Sequence, residues 1–234
     1  MLALENRERV GMKSGKPPGR RHHSEQSPRG GIKAATRGLL LESAVELMQD
    51  GDVPSLSDVA RKAGVSRATA YRYFPSRSML ITAVVDHSLG PVRRYSSTQT
   101  DGRRRVEELF TSTFPRFKDF EAQMRAALQL SLEHWAQERA GTLEEEPYRR
   151  GHRIGILGQA VAPLQGKLNP GQLDRLQKAL SVIYGIEPYV ILKDIWGAND
   201  QETESIALWM ANALVTASLL EADAAEHRPT HNVP

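Results

Sequence analysis

The chain has no cysteine in 234 residues, so disulfides and thiol chemistry are closed to it. Aromatics are sparse, at 6 % of residues. No uninterrupted apolar run approaches the roughly 18 residues that a membrane span needs. The opening residues, MLALENRERV, lack the apolar stretch of a secretory signal. Strand-like alternation and tight hairpin turns are missing too, which removes the basis for a β fold. There is no phosphate-cradling glycine loop and no Ser-His-Asp elbow. In GHRIGILG, the spacing of Gly151, Gly155 and Gly158 is wrong for G-x-G-x-x-G and no strand precedes it, so close helix packing is the simpler reading. His134 and Glu138 lie four apart on a helix without a third ligand nearby, which suits a packed or solvated pair better than a metal site. Glu144, Glu145 and Glu146 read as an exposed acidic loop rather than paired catalytic carboxylates. The absences together lead to the expectation of a cytoplasmic all-α protein that is not an enzyme and needs no cofactor or metal.

What is present begins with an uneven charge. Residues 1–80 hold 14 Lys and Arg against 8 Asp and Glu, whereas residues 81–234 hold 17 against 20. The first third is therefore basic, as a surface meant for a polyanion must be. Residues 1–31 are rich in Gly, Pro, Ser and Arg and carry His22 and His23; they read as a disordered basic arm. Either the arm is inert, or Arg20, Arg21, Arg29 and Lys33 add contacts to phosphates or the minor groove. A first helix is expected over 32–50, burying Leu40, Leu41, Ala44, Leu47 and Met48, with Gly51 at its end.

Residues 55–80, SLSDVARKAGVSRATAYRYFPSRSML, carry the densest local signals. Ser55 followed by Asp58 has capping-box spacing, with Asp in place of the usual Glu or Gln. Leu56, Val59, Ala60 and Ala63 line one side of the helix that follows. Gly64 is placed to end it in the left-handed conformation, Val65 to drop under the turn, and Ser66 to cap the next helix. That second helix, Ser66 to Phe74, has two faces. Ala70, Tyr71 and Phe74 should pack inward. Ala68, Thr69, Arg72 and Tyr73 face outward, with Arg67 at the edge. Two short helices joined by such a turn form a helix-turn-helix, whose outer face suits a DNA major groove.

The run TRGLLLESAVELMQDG together with residues 55–80 resembles the DNA-binding domain of the tetracycline-repressor family. The similarity rests on Ala44, Gly51, Val59-Ala60, Ala63-Gly64-Val65-Ser66, Tyr71, Phe74, Pro75-Ser76-Arg77 and Leu80. It covers about 50 residues, with Ala70 where the family often has Leu and Arg77 where it often has Lys. The resemblance implies that Thr36 and Ser57 approach phosphates. It implies base contacts from Arg67, Thr69 and Arg72, and phosphate contacts from Tyr71, Tyr73 and Arg77; Ser66, as helix cap, belongs to the same surface. It also implies a homodimer on a palindromic DNA operator, a small-molecule effector in the C-terminal body, and most often repression.

The remainder is expected to be helical: 76–89 with a break or kink at Gly90-Pro91, 103–119, 120–139, 148–167, 170–196, and a last helix capped by Asp200 and running to about 225. The kink could be a mechanical joint or simply the end of a helix. The expected domains are a helix-turn-helix unit over 32–80, a helical effector-binding and dimerisation unit over 81–225, and a frayed tail over 226–234. Helices 170–196 and 200–225 are apolar on more than one side and so need two covering surfaces. Ile183, Ile186, Tyr189, Ile206, Trp209, Met210, Leu214 and Ala217 are candidates for the subunit contact, against the simpler alternative of burial within one chain. Phe114, Met124, Leu128, Trp135 and Tyr184 are candidates to line a pocket for an apolar or aromatic effector. The competing reading is a helical effector-binding or interaction protein that binds DNA only non-specifically.

Overall fold

The computed structural model describes residues 28–51, 53–148 and 150–227, and every regular element among them is helical. Arg20 and Arg21 of the expected arm, and the tail beyond residue 227, lie outside the described residues. In chain order the helices are α1 (Pro28–Gln49), α2 (Leu56–Lys62), α3 (Arg67–Tyr73), α4 (Arg77–Arg93), α5 (Gly102–Asp119), α6 (Glu121–Ala140), α7 (His152–Val161), α8 (Pro170–Ile183), α9 (Glu187–Trp196) and α10 (Asp200–Glu226). A short 3₁₀ turn, Ala162–Leu164, follows α7. α1 begins at Pro28, so the expected arm is shorter than 31 residues by the last four.

Two cores organise these helices. The first is built from Leu40, Ala44 and Met48 of α1, Leu56, Val59 and Ala60 of α2, Ala70 of α3 and Leu80, Ile81 and Val84 of α4. Ala126, Ala127 and Leu130 of α6 belong to it as well, so the N-terminal unit rests on the body rather than standing free. Leu47, expected in this core, is only half-buried against it. The second core centres on α5. Phe110, Phe114 and Phe117 recur on one face of that helix and meet Tyr184 and Tyr189, with ring centroids 5.2 to 6.3 Å apart. Such aromatic pairs contribute about 0.5–1.5 kcal/mol each beyond the area they bury. α10 packs along α5 and α8 with its small residues Ala207, Ala211 and Val215 fully buried.

α4 belongs to both cores: its first half feeds the N-terminal one, and Leu89 and Val92 feed the second. The expected break at Gly90-Pro91 does not occur, because α4 runs through Pro91 to Arg93. Proline forfeits one backbone bond and crowds the preceding turn. Here that loss falls in the last turn, where burial of Leu89 and Val92 against the body holds the helix.

The expected helix 170–196 is in fact two. Asn169 caps α8 in a box with Gln172, and α8 stops at Ile183. The chain then turns at Gly185, whose φ of +134° suits a residue without Cβ, and restarts at Glu187 with Pro188 in the first turn of α9. A Cβ at Gly185 would stand 2.9 Å from Arg153 Nη2. α10 is capped by Asn199, which accepts from the Glu202 N–H at 2.9 Å; the expected cap, Asp200, is its first residue. By length and composition α10 is apolar enough to cross a membrane, yet only 28 % of that stretch is buried.

Candidate nucleic-acid interface and effector cavity

The helix-turn-helix is assembled by local capping. The Ser55 hydroxyl accepts from the Asp58 N–H at 3.2 Å, and the Asp58 carboxylate accepts from the Ser55 N–H at 3.3 Å, completing the box. At the other end of α2, the Val65 N–H donates to the Ala60 carbonyl at 3.0 Å and the Gly64 N–H to that of Arg61 at 3.2 Å. This is the Schellman pattern, and Gly64 takes the required left-handed φ of +66°. Val65 packs partly against the core beneath. Ser66 caps α3, its hydroxyl accepting from the Thr69 N–H at 3.1 Å and lying 2.9 Å from the Thr69 hydroxyl.

α3 buries Ala70 and, at its end, Phe74. Arg67, Ala68 and Arg72 are exposed, with Thr69 and Tyr73 half-exposed beside them. Tyr71, expected to pack inward, is instead 44 % exposed; the small Ala70 and Phe74 fill the inner arc without it. The electrostatics favour the outer face. In α2, Arg61 is paired with Asp58 and Lys62 with Glu46. Arg67 and Arg72 make no ion pair among the described residues, and Arg72 lies 5.7 Å above the Tyr73 ring.

Other residues named from the sequence sit differently. The Thr36 hydroxyl donates within α1, to the Ile32 carbonyl at 2.9 Å. Ser57 is half-buried in the first turn of α2. Arg77 is engaged inside the protein: it pairs with Glu133 of α6 at 2.9 Å and donates to the Val53 carbonyl. Its charge therefore ties the N-terminal unit to α6 and is not free in solvent.

In the body, a cavity opens between α4, α6, α7 and the α8–α9 turn. Its volume is about 90 Å³, room for several water molecules. Of the five residues expected to line a pocket, Met124 and Tyr184 do so. Phe114 is buried behind, in the aromatic core, and Leu128 is half-buried outside the lining. Trp135 is 60 % exposed and stacks near Arg139. The sequence reading missed Tyr148, Arg93, Arg150 and Arg153, which also line the cavity. Their clustering depends on the fold, which brings Arg93 of α4 against residues 148–153.

A polar strap runs from this cavity to α4. The Tyr148 N–H donates to His134 Nδ1 at 3.1 Å, and His134 Nε2 lies 3.2 Å from the Glu145 carboxylate. Glu145 in turn accepts from the Ser78 N–H at 3.1 Å, in the first turn of α4. Ser78 closes the strap by donating its hydroxyl to the Glu146 carbonyl at 3.3 Å. Burial works to raise the Glu145 carboxyl, but the Ser78 amide, the Ser76 and Ser78 hydroxyls and His134 outweigh it and hold its pKa below the ordinary glutamate value. Glu145 is thus a remote cap for α4 and not part of an exposed acidic loop, and buried His134 takes Glu145 as partner instead of Glu138.

The residues proposed for a subunit contact divide. Ile183, Ile186 and Tyr189 are buried in the body core of their own chain, where the Tyr189 ring stacks near Phe114. Ile206, Met210 and Leu214 are half-buried. Trp209, at 70 % exposed, and Ala217 face outward. Ile191, Ile195 and Trp196 of α9 and Leu220 of α10, apolar residues of the same two helices, are exposed as well.

Residues 40–84 match the family described as bacterial regulatory proteins, tetR family. Over 57 residues the chain is 37 % identical to the HTH-type transcriptional repressor LfrR of Mycolicibacterium smegmatis, a stretch that is 24 % of this chain and 30 % of that protein. Over 73 residues it is 33 % identical to the uncharacterized HTH-type transcriptional regulator YvdT of Bacillus subtilis, covering 30 % of this chain and 36 % of the relative. The chain thus spans about a third of the length of these curated relatives. A crystal structure of a TetR transcriptional regulator from Rhodococcus sp. RHA1 aligns with 80 % of this chain and 98 % of its own, at 19 % identity and a TM-score of 0.47.

Proposed function

We propose that this chain, a tetR-family regulator by its N-terminal helix-turn-helix, is a homodimeric cytoplasmic repressor that releases a palindromic operator when a small molecule enters the cavity of its body. The observation that carries the reading is α3, a capped helix whose two arginines face solvent without carboxylate partners among the described residues. Arginine reads guanine through two parallel hydrogen bonds, and a helix of this kind enters the major groove. Two copies are required because two-fold operator symmetry calls for two recognition helices about 34–36 Å apart. The exposed apolar surface of α9 and α10, with Trp196 and Trp209 outermost, is the part of the body that needs such cover.

The switch is a shift between two arrangements of α4. Its C-terminal half walls the cavity through Val85, Leu89, Val92 and Arg93, and its N-terminus follows α3 directly. A 17-residue helix is a lever of about 25 Å. The strap from Tyr148 through His134 and Glu145 to Ser78 gives the cavity a second hold on the same helix. A ligand that fits the cavity better in the DNA-incompetent arrangement draws the population there. Reversing a 99:1 population takes a preference of about 5.5 kcal/mol.

Gel shift of the full chain against genomic fragments, run over a salt series, tests the reading. A repressor binds one or a few fragments at least about a thousandfold more tightly than the rest. Uniform binding to all fragments, falling steeply with salt, would instead mark a non-specific binder.

A further inference from the structure

The cavity joins an apolar interior to unusual polar fittings. Met124, Ala127, Ile156, Leu89 and Phe117 supply the greasy wall. Into this wall is set Tyr184, 2 % exposed, whose hydroxyl has no hydrogen-bond partner among the described residues. The Thr113 hydroxyl, which influences that phenol, donates its own proton to the Leu109 carbonyl at 2.6 Å and does not meet the Tyr184 oxygen in bonding geometry. Burial raises the phenol's pKa well above its ordinary value, so the group stays a neutral O–H able to donate. A buried hydroxyl without a partner is rare in folded proteins and calls for an explanation, such as a group that binds beside it.

The second fitting is charge. Among the described residues, Arg93, Arg150 and Arg153 line the cavity, and the carboxylates that answer them, Asp86 and Glu187, lie outside the lining. Glu187 is shared, accepting from Arg150 at 2.9 Å and from Arg153 at 3.0 Å. Arg153 also donates to the Ser181 carbonyl at 2.7 Å, which fixes it, while Arg150 is held by the one shared carboxylate. Three guanidiniums against two carboxylates leave one positive charge over, next to an apolar hole.

Resting on the reading of this cavity as the effector site, we infer that it takes a small amphipathic monoanion, a single carboxylate carried on one aromatic ring or a short acyl chain. One negative charge matches the one excess cation, and a planar carboxylate suits the guanidinium fork that already grips Glu187. The volume, about 90 Å³, limits the buried apolar part to at most one ring or a few methylenes. A dianionic phosphate would overcompensate the charge and leave the apolar wall unfilled. The Tyr184 hydroxyl supplies the missing donor, and the apolar wall supplies the affinity. The recognised feature is the pairing of greasy body with single acid, so a neutral compound of the same shape binds poorly.

Isothermal titration calorimetry on the full chain, without DNA, tests this with matched probes: benzoate against benzamide, and hexanoate against hexanamide. The acids are expected to bind, each at least about tenfold more tightly than its amide. Tyr184→Phe removes only the unpartnered hydroxyl and keeps the packed ring, so its fold is retained. Its affinity for the acids should fall about tenfold. Arg150→Gln should weaken the acids and leave the amides nearly unchanged, with circular dichroism confirming helix content for both variants. Amides binding as well as acids, no binding of either acid at millimolar concentration, undiminished acid binding by Tyr184→Phe, or equal losses for acid and amide in Arg150→Gln would each overturn the assignment. The gel shift fails independently of this result. Acids that bind but leave a bound operator fragment in place would overturn the effector reading while sparing the site.

Discussion

Arg67 and Arg72 differ from Arg61, Lys62 and Arg77 in one respect: no carboxylate among the described residues holds them. A solvated arginine is free to trade water for a base edge, whereas a paired one must first leave its partner. Arg72→Ala should therefore cut the discrimination between the preferred operator and single-base variants by about 1–3 kcal/mol, leaving binding to unrelated DNA little changed. Selection from a randomised site pool by wild type and variant measures this directly, and an identical preferred sequence from both would remove Arg72 from base reading. At this scale the sequence was informative wherever the partner was a few residues away. Ser55 with Asp58, Gly64, and Ser66 with Thr69 all pair within three to five positions, so spacing alone revealed them. The ion pair of Arg77 could not be foreseen, because Glu133 lies 56 residues further along the chain. Tyr71 was misjudged because helical periodicity places a side chain on an arc but does not say how much of that arc the core needs.

Helix ends that carry capping residues were legible to within a residue or two, as α2, α3, α5 and the start of α8 show. Continuity was harder. Residues 170–196 look like one helix because their apolar content is unbroken, yet Gly185 followed by Pro188 contains the signal for a stop and restart. Conversely, Gly90-Pro91 looks like a stop, and the packing of Leu89 and Val92 carries α4 past it. The strap on α4 was invisible in sequence, because a carboxylate capping a remote helix has no fixed spacing. It leads to a prediction at the level of this element. Glu145→Gln keeps the shape but removes the charge at the helix N-terminus, so the Ser78 amide should lose about two- to fivefold of its hydrogen-exchange protection at neutral pH. Because the folded-state pKa of Glu145 is depressed, its contribution is fully present above the ordinary glutamate range and fades as pH falls through the lower folded value. The wild-type and variant first turns should accordingly converge in acid. Equal protection of the Ser78 amide in both proteins at neutral pH would show that the Glu145 charge does not brace α4.

The exposed tryptophans raise a question that only a second molecule answers. Trp196 and Trp209 are 77 % and 70 % exposed, and Ile195 and Leu220 stand with them on the two last helices. That surface was half-read from sequence: the excess of apolar residues on these helices was evident, but not that the core of the same chain already buries Ile183, Ile186 and Tyr189. Apolar content tells how much cover a helix needs, and only the fold tells how much its own chain supplies. α10 could meet its remaining need in lipid or against another copy. Its burial along α5 and α8 and the Arg103–Thr216 hydrogen bond of 2.6 Å fasten it lengthwise to the body, which favours the copy. Placing a charge at the centre of the surface separates the cases. Trp209→Glu alters an exposed side chain and should leave the monomer's fold and thermal transition nearly intact. In a two-fold contact it appears twice, and each truncation of a central tryptophan costs about 2 kcal/mol or more. Sedimentation at micromolar concentration should then show a wild-type dimer and a Trp209→Glu monomer. Operator binding should weaken in step, because each half-site would have to capture its own subunit from solution. A wild-type chain that sediments as a monomer, or a variant that remains a dimer, would place the subunit contact elsewhere and leave these tryptophans without an explanation.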